Sequence, residues 1–324
     1  MKTLLKRLTG ALWMAVNRKR YRKHWHWWQQ TAYDCTMLAP LEGFIRNSGV
    51  SKRDAELDRD VGQKIRQFWK FQVGEAARLE YYQILKVALK KTPDVHYIPD
   101  DVWYYILPFL NPLDESRVLE DKSKYAFYFH DVNRPLEVVR KIRGTYYDQQ
   151  NLIVSEQRAI DAVMRYGRPV FVKPTIDSMQ GNKVHFLSSY SKEELKLMFK
   201  KYGNDFTIQE QVRQSPEMAR FNASSLNSFR LTTLFLNGRF SVLSSIIRVG
   251  KLGACVDNVG AGGYAVGVRA DGSVNETGYN AKGEFITKTY AGIPLMGMRI
   301  EGFSNIVSFV KGMHERLPYI PFVG

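Results

Sequence analysis

Apolar and polar positions change rhythm about a third of the way along the chain. In RDVGQKIRQFWKFQVGEAARLEYYQILKVALKK (59–91), Ile65, Phe68, Trp69 and Val73 recur at helical spacing, as do Tyr82, Leu85 and Leu89. Residues 54–91 therefore read as one long or two shorter helices, stopped by Thr92-Pro93. PDDVWYYILPFLNP (99–112) reads as a short helix opened by an Asp cap and closed at Pro108 or Pro112. Beyond about 120 short apolar runs take over. FYFHDV (127–132), PVFVKP and DFTIQEQV (205–212) read as strands, and Val184, Phe186 and Leu187 begin another. SEQRAIDAVMRYG (155–167) and SKEELKLMFKKYG (191–203) read as helices between Ser caps and Gly stops, the second with Glu194 completing a capping box. SFRLTTLFLNGRFSVLSSIIRVG (228–250) alternates about Asn237-Gly238, a hairpin signature, and EGFSNIVSFVKGMHERLP (301–318) is a final amphipathic helix. Strands and helices mix without strict βαβ alternation, so the class is α+β.

Composition sharpens this only at the amino terminus. The 324 residues carry a formal charge of +15, of which residues 1–30 supply +8 without a single acid. There Leu4, Leu5, Leu8, Leu12 and Val16 fall at helical spacing among Lys, Arg and Trp. This basic amphipathic segment (1–30) reads either as a helix for peripheral contact with an anionic membrane or as a terminal helix with a solvated basic face. Lys6 and Arg7 interrupt the apolar stretch, which fits a signal peptide poorly. No recognition motif accompanies the basic residues, so nucleic acid is not an expected partner. Cys35 and Cys255, far apart, exclude a disulfide scaffold or zinc site and fit the reducing cytoplasm. His24, His26 and His96 read as surface or packing residues.

The stretch with most chemistry is FVKPTIDSMQGNKVHFL (171–187), where Lys173 ends an apolar strand and a polar loop around Gly181 follows. A lysine so placed either meets an anion or snorkels from the edge of an ordinary hairpin.

Several segments together resemble the ATP-grasp carboxylate–amine ligases, in their sugar-transfer-associated, alpha-L-glutamate-ligase-related branch. They are EDKSKYAFYF (120–129), IRGTYYD (142–148), FVKPTIDSMQGNKV (171–184), IQEQV (208–212), SFRLTTL (228–234) and DNVGAGGYAVGV (257–268). The resemblance implies an ATP-grasp domain over 119–324 after a helical region at 31–118. Two α+β lobes, about 119–212 and 213–324, would enclose a nucleotide cleft faced by Lys173, Glu210 and Arg248. Lys173 and Lys122 would meet ATP phosphates, and the flap 177–183, with Ser178 and Gly181, would cover them. Lys122 also reads as a helix-start lysine paired with Asp121. Gln209, Glu210 and Val212 would hold adenine, and Glu217 the ribose. Arg230, Arg248 and Asn258 would act on the transferring phosphoryl group, with Gly262 and Gly263 close to substrate.

The implied partners are ATP and a carboxylate and amine pair, with a link to cell-surface polysaccharide assembly. The implied cofactor is Mg²⁺. Relatives hold it through an Asp and a Glu-x-Asn pair, for which this sequence has no counterpart before Gly324; Asp257 is a weak substitute. The run LPYIPFVG reads as a strand with no turn and no partner, which implies either a fragment of a longer protein, the reading its abrupt apolar end favours, or a natural truncation, with the metal ligands expected beyond residue 324. Two other readings stay open: a nucleotide-binding module without turnover, and a basic membrane-surface adaptor.

Overall fold

The computed structural model describes residues 43, 45–47, 49–74, 77–111, 113–176, 183–254 and 257–324. The basic segment 1–30, both cysteines, Ser178 and Gly181 lie outside them. The chain forms two compact units, one of residues up to Asn111 together with Tyr279–Ile286, the other of Pro112–Gly278 and Thr287–Gly324.

The first unit is helical, with α1 (Arg59–Val73), α2 (Leu79–Leu89) and α3 (Asp100–Leu110). The continuous periodicity of the sequence is broken at Gly74, whose left-handed backbone (φ 83°) ends α1. The core holds Ile65, Trp69, Ala77, Tyr82 and Val102. Inside it the Trp69 indole donates to the Tyr82 hydroxyl at 2.6 Å, which donates in turn to the Val95 carbonyl at 2.9 Å. Helix α3 is capped by Pro99 rather than by an Asp, and it continues past Pro108 to Leu110.

The second unit begins with α4 (Leu113–Glu120) and carries the first sheet and the strands of the second sheet up to Gly278 together with its carboxyl-terminal strand. In the first sheet, β1 (Glu137–Ile142), β2 (Thr145–Tyr147), β3 (Ile153–Val154), β4 (Val170–Pro174), β5 (His185–Leu187) and β6 (Phe206–Glu210) run in the order β3-β2-β1-β6-β4-β5. One face is covered by α5 (Glu156–Tyr166) and α6 (Lys192–Tyr202). Alternation sends Val170, Val172, Phe206 and Ile208 to that face, where they pack with Ile160, Val163, Leu195 and Phe199. Both helices start and stop as the sequence predicts: Ser155 and Gly167 bound α5, and α6 has the full Ser191/Glu194 capping box.

The opposite face of this sheet is the unusual one. It bears Glu137 and Arg140 from β1, Thr207 and Gln209 from β6, and Phe171 and Lys173 from β4, placed together by the register Glu137↔Gln209, Arg140↔Thr207 and Lys173↔Thr207. Segment 121–129 reaches this face. The stretch predicted as a strand at FYFHDV is instead a helical turn, Tyr125–Tyr128, followed by a bend. Its aromatic residues do not alternate between two faces. Phe129 is buried, while Phe127 lies under the Arg140 guanidinium at 5.5 Å.

The second sheet contains β7 (Ser228–Leu236), β8 (Arg239–Val249), β9 (Tyr264–Val268), β10 (Val274–Asn280), β11 (Phe285–Ile286) and β12 (Phe322–Val323). β7 and β8 turn at Asn237-Gly238, both at positive φ (51° and 73°), as a primed two-residue turn requires. Helix α7 (Phe303–His314) packs Phe303 against Phe229. The carboxyl-terminal run is not without a partner: Phe322 and Val323 pair with Leu234 and Thr233 of β7. His314, fully buried, braces this pairing through Thr233 (2.8 Å) and the Ile320 carbonyl (2.9 Å).

Candidate functional site

Lys173 stands at the centre of the first sheet's polar face. β4 and β5 do form a hairpin, Phe171 opposite Phe186, yet the lysine does not snorkel to water. Its ammonium donates to the Gln209 Oε1 on the adjacent strand. Burial holds its pKa below the ordinary lysine value; Glu137 opposes that shift and Lys122 adds to it. Lys122 is depressed as well, through burial. It is tied to the lysine strand by its backbone N–H, which donates to the Thr175 carbonyl at 3.0 Å. Asp121 accepts from the Ser123 N–H and hydroxyl and lies 3.8 Å from Lys124.

Among the described residues, two cations thus share a partly dry site in which one carboxylate, Glu137, acts on Lys173. That carboxylate is committed elsewhere. It takes a hydrogen bond from Arg140 at 2.9 Å and lies 3.3 Å from Arg134. Arg140, 1% exposed, also donates to Asn151. The local balance is positive, the condition under which a triphosphate compensates the site. The buried hydroxyls of Thr207, opposite Lys173, and Thr175 have no hydrogen-bond partner among the described residues.

Beside this face lies a cavity of about 650 Å³. Lys173, Gln209, Glu210 and Val212 line it, with Phe171 and Phe186 from the sheet and Ala219 and Ala223 to Leu226 from the segment before β7. The volume is that of an ordinary small-molecule pocket. Four sequence candidates therefore share one cavity. The Glu210 carboxylate is turned away from Lys173, because neighbouring strand residues alternate. Its oxygens accept from the Leu136 N–H (2.7 Å) and the Tyr166 hydroxyl (3.2 Å). Glu217 accepts from the Glu301 N–H at 3.0 Å.

The remaining candidates form a second group on the second sheet. Ser228 pairs with Arg248 and Arg230 with Ile246, so Ser228, Arg230 and Arg248 share the face opposite the buried Ile247 and Val249. Asp257 joins them, accepting from the Ser228 hydroxyl and lying 3.6 Å from the Arg248 guanidinium. Asn258 caps the turn Val259–Ala261 by accepting from the Gly260 N–H at 2.9 Å. Gly262 is left-handed (φ 101°), and a side chain on Gly263 would overlap the Val249 carbonyl oxygen. Of the described residues lining the Lys173 cavity, none is Arg230, Arg248 or Asn258.

A protein-family model matches the chain. Sugar-transfer associated ATP-grasp matches residues 104–324. The chain belongs to that family. No curated protein and no solved structure matches it. Family membership accounts for the two-sheet, α+β body. For magnesium the described residues supply no centre: no group of three or more His, Cys, Asp or Glu side chains is placed to hold a metal ion. Asp257, the one candidate substitute, is engaged by Arg248 and Ser228.

Sequence reasoning missed Glu137, Arg140 and the role of Asp257. The signal for the first two was a Glu and an Arg at i and i+3 within the apolar strand EVVRKI, where a solvated pair has no reason to interrupt the core.

Proposed function

We propose that this chain is an ATP-dependent carboxylate–amine ligase that binds ATP in the cavity beside Lys173. The observation that carries the reading is the desolvated ammonium of Lys173 on the wall of that cavity, with Lys122 close by. Lys173 and Lys122 would take phosphate oxygens, the end of β6 from Gln209 to Val212 would border the adenine, and residues 177–183 would cover the phosphates. Arg248 and Arg230 would offset the charge that develops as a substrate carboxylate attacks the γ-phosphorus and ADP departs. The resulting acyl phosphate would be opened by an amine, releasing phosphate, with the backbone at Gly262 and Gly263 near the acceptor. The magnesium such a transfer uses would neutralise phosphate charge. The carboxylate and amine, and a link to polysaccharide assembly, belong to the family likeness.

A nucleotide-binding module without turnover is the second reading, favoured by the engagement of Asp257 away from any metal role. ATP should raise the unfolding temperature of the chain, because a ligand that binds only the folded state stabilises it. ADP release that requires both a carboxylate and an amine then selects the ligase, and ATP binding without such release selects the module. An unfolding temperature indifferent to ATP refutes both.

A further inference from the structure

The segment that leaves β6 has a second cavity on its other side, of about 940 Å³, and it is ringed by arginines. We propose that this rear cavity is a separate binding site for a small molecule carrying a diphosphate or an equally close pair of anionic groups. The site follows from strand topology. β1 and β4 both run antiparallel to β6, so the starts of β1 and β4 lie beside the end of β6. Two backbone hydrogen bonds fix this convergence, Glu210 N–H to the Leu136 carbonyl at 2.9 Å and Gln211 N–H to the Pro169 carbonyl at 3.3 Å. Each strand end contributes one arginine: Arg134 before β1, Arg168 before β4 and Arg213 after β6.

Among the described lining residues the single carboxylate, Glu210, offsets one of the three charges and leaves the balance positive. Both its oxygens are held within the wall, by the Leu136 N–H and the Tyr166 hydroxyl. Arg134 is partly committed, to Glu137 at 3.3 Å and to the Phe129 carbonyl at 3.2 Å. Arg168 and Arg213 are exposed, at the same end of paired strands. Guanidinium groups offer paired donors that match phosphate oxygens, and the Asn133 amide adds a neutral donor to the same lining. The volume exceeds that of a bare phosphate and suits a drug-sized or nucleotide-sized molecule.

Residues Glu210 to Arg213 line both this cavity and the one beside Lys173, so the test has to separate the two. Inorganic pyrophosphate is titrated calorimetrically into the full chain at low salt, comparing wild type with R168Q/R213Q, with K173M, and with R239Q/R269Q. The last variant removes two exposed arginines outside the lining and controls for net charge. The expected result is a loss of affinity of about tenfold or more in R168Q/R213Q alone, the effect of removing charge-assisted contacts. Equal binding by wild type and R168Q/R213Q overturns the site. So does abolition in K173M, which would put pyrophosphate in the other cavity, and so does equal weakening in R239Q/R269Q, which would reduce the effect to overall charge. Failure of the nucleotide reading shows separately, as ATP binding indifferent to K173M.

Discussion

The ammonium of Lys173 and the side-chain oxygen of Gln209 meet across neighbouring antiparallel strands, on the sheet face opposite α5 and α6. The pairing holds a lysine in a site where burial disfavours its charge, and it aims that charge at the cavity both residues line. Replacing Lys173 by Met keeps most of the aliphatic packing and removes the cation. ATP affinity should fall about tenfold or more, since a charge-assisted contact is worth about 1.5–3 kcal/mol. Calorimetry on both proteins checks this, and identical dissociation constants would contradict the assignment.

The same lysine predicts a pH dependence with opposite signs for folding and for binding. Its folded pKa lies below the unfolded value of 10.5. Between the two values the unfolded chain holds more protons, so stability relative to K173M should rise with pH across that window. ATP binding needs the ammonium, so affinity should weaken as pH climbs through the lowered pKa. K173M should show neither trend. Superimposable pH profiles for the two proteins, measured by chemical denaturation and by ATP titration, would exclude titration of Lys173 as the cause.

How much of this was legible in the sequence depended on whether the signal was local. Ser155, Ser191 and Glu194 declare helix starts through their own backbone bonds, and Asn237-Gly238 declares a turn through its φ angles; all lie where expected. Segment 127–132 misled because three aromatic residues imitate a strand when their true partners, among them Arg140, are distant in sequence. For the site, the lysine strand was legible as an apolar run ending in a cation. Glu210 was legible as a position but not as an orientation. Whether its carboxylate faces the cavity or Tyr166 is set by the pleat of β6 and by the neighbouring strand end, which no local pattern encodes. The pairing of Asp257 with Arg248 and Ser228 likewise depends on a loop folding back onto two strands.

Two glycine substitutions should move stability in opposite directions. A β-carbon on Gly263 would overlap the Val249 carbonyl oxygen and sit 3.1 Å from that of Asn258, with backbone on both sides and nothing flexible to yield. Gly263→Ala should cost about 1–3 kcal/mol, as overpacking does. Gly312, within α7, has nothing within 4 Å of its added carbon, so Gly312→Ala should gain about 0.5–1 kcal/mol through helix propensity. Denaturant midpoints report both. A neutral Gly263→Ala would mean that the turn after Asn258 relaxes freely and does not fix the loop near Arg248.

The polar face beneath Lys173 should prove as important for stability as for binding. Arg140 and Glu137 are 1% and 5% exposed, and their hydrogen bond is continued by Arg134 on one side and Asn151 on the other. Desolvating such a pair makes its net contribution small against an apolar replacement of both partners, whereas removing one partner strands the other charge. Arg140→Met should therefore destabilise the chain by about 3–5 kcal/mol, and Glu137→Leu, which leaves Arg140 with no carboxylate and only the Asn151 and Asp148 oxygens, by a similar amount. Arg140→Met/Glu137→Leu should recover much of the loss, so the two single effects should not add. The double variant also removes the carboxylate that opposes the depression of the Lys173 pKa, so its ATP affinity should weaken at a lower pH than that of the wild type. Urea denaturation of the four proteins measures the coupling. Strictly additive losses would show that Arg140 and Glu137 act as separate residues, with Glu137 free to answer Lys173 directly.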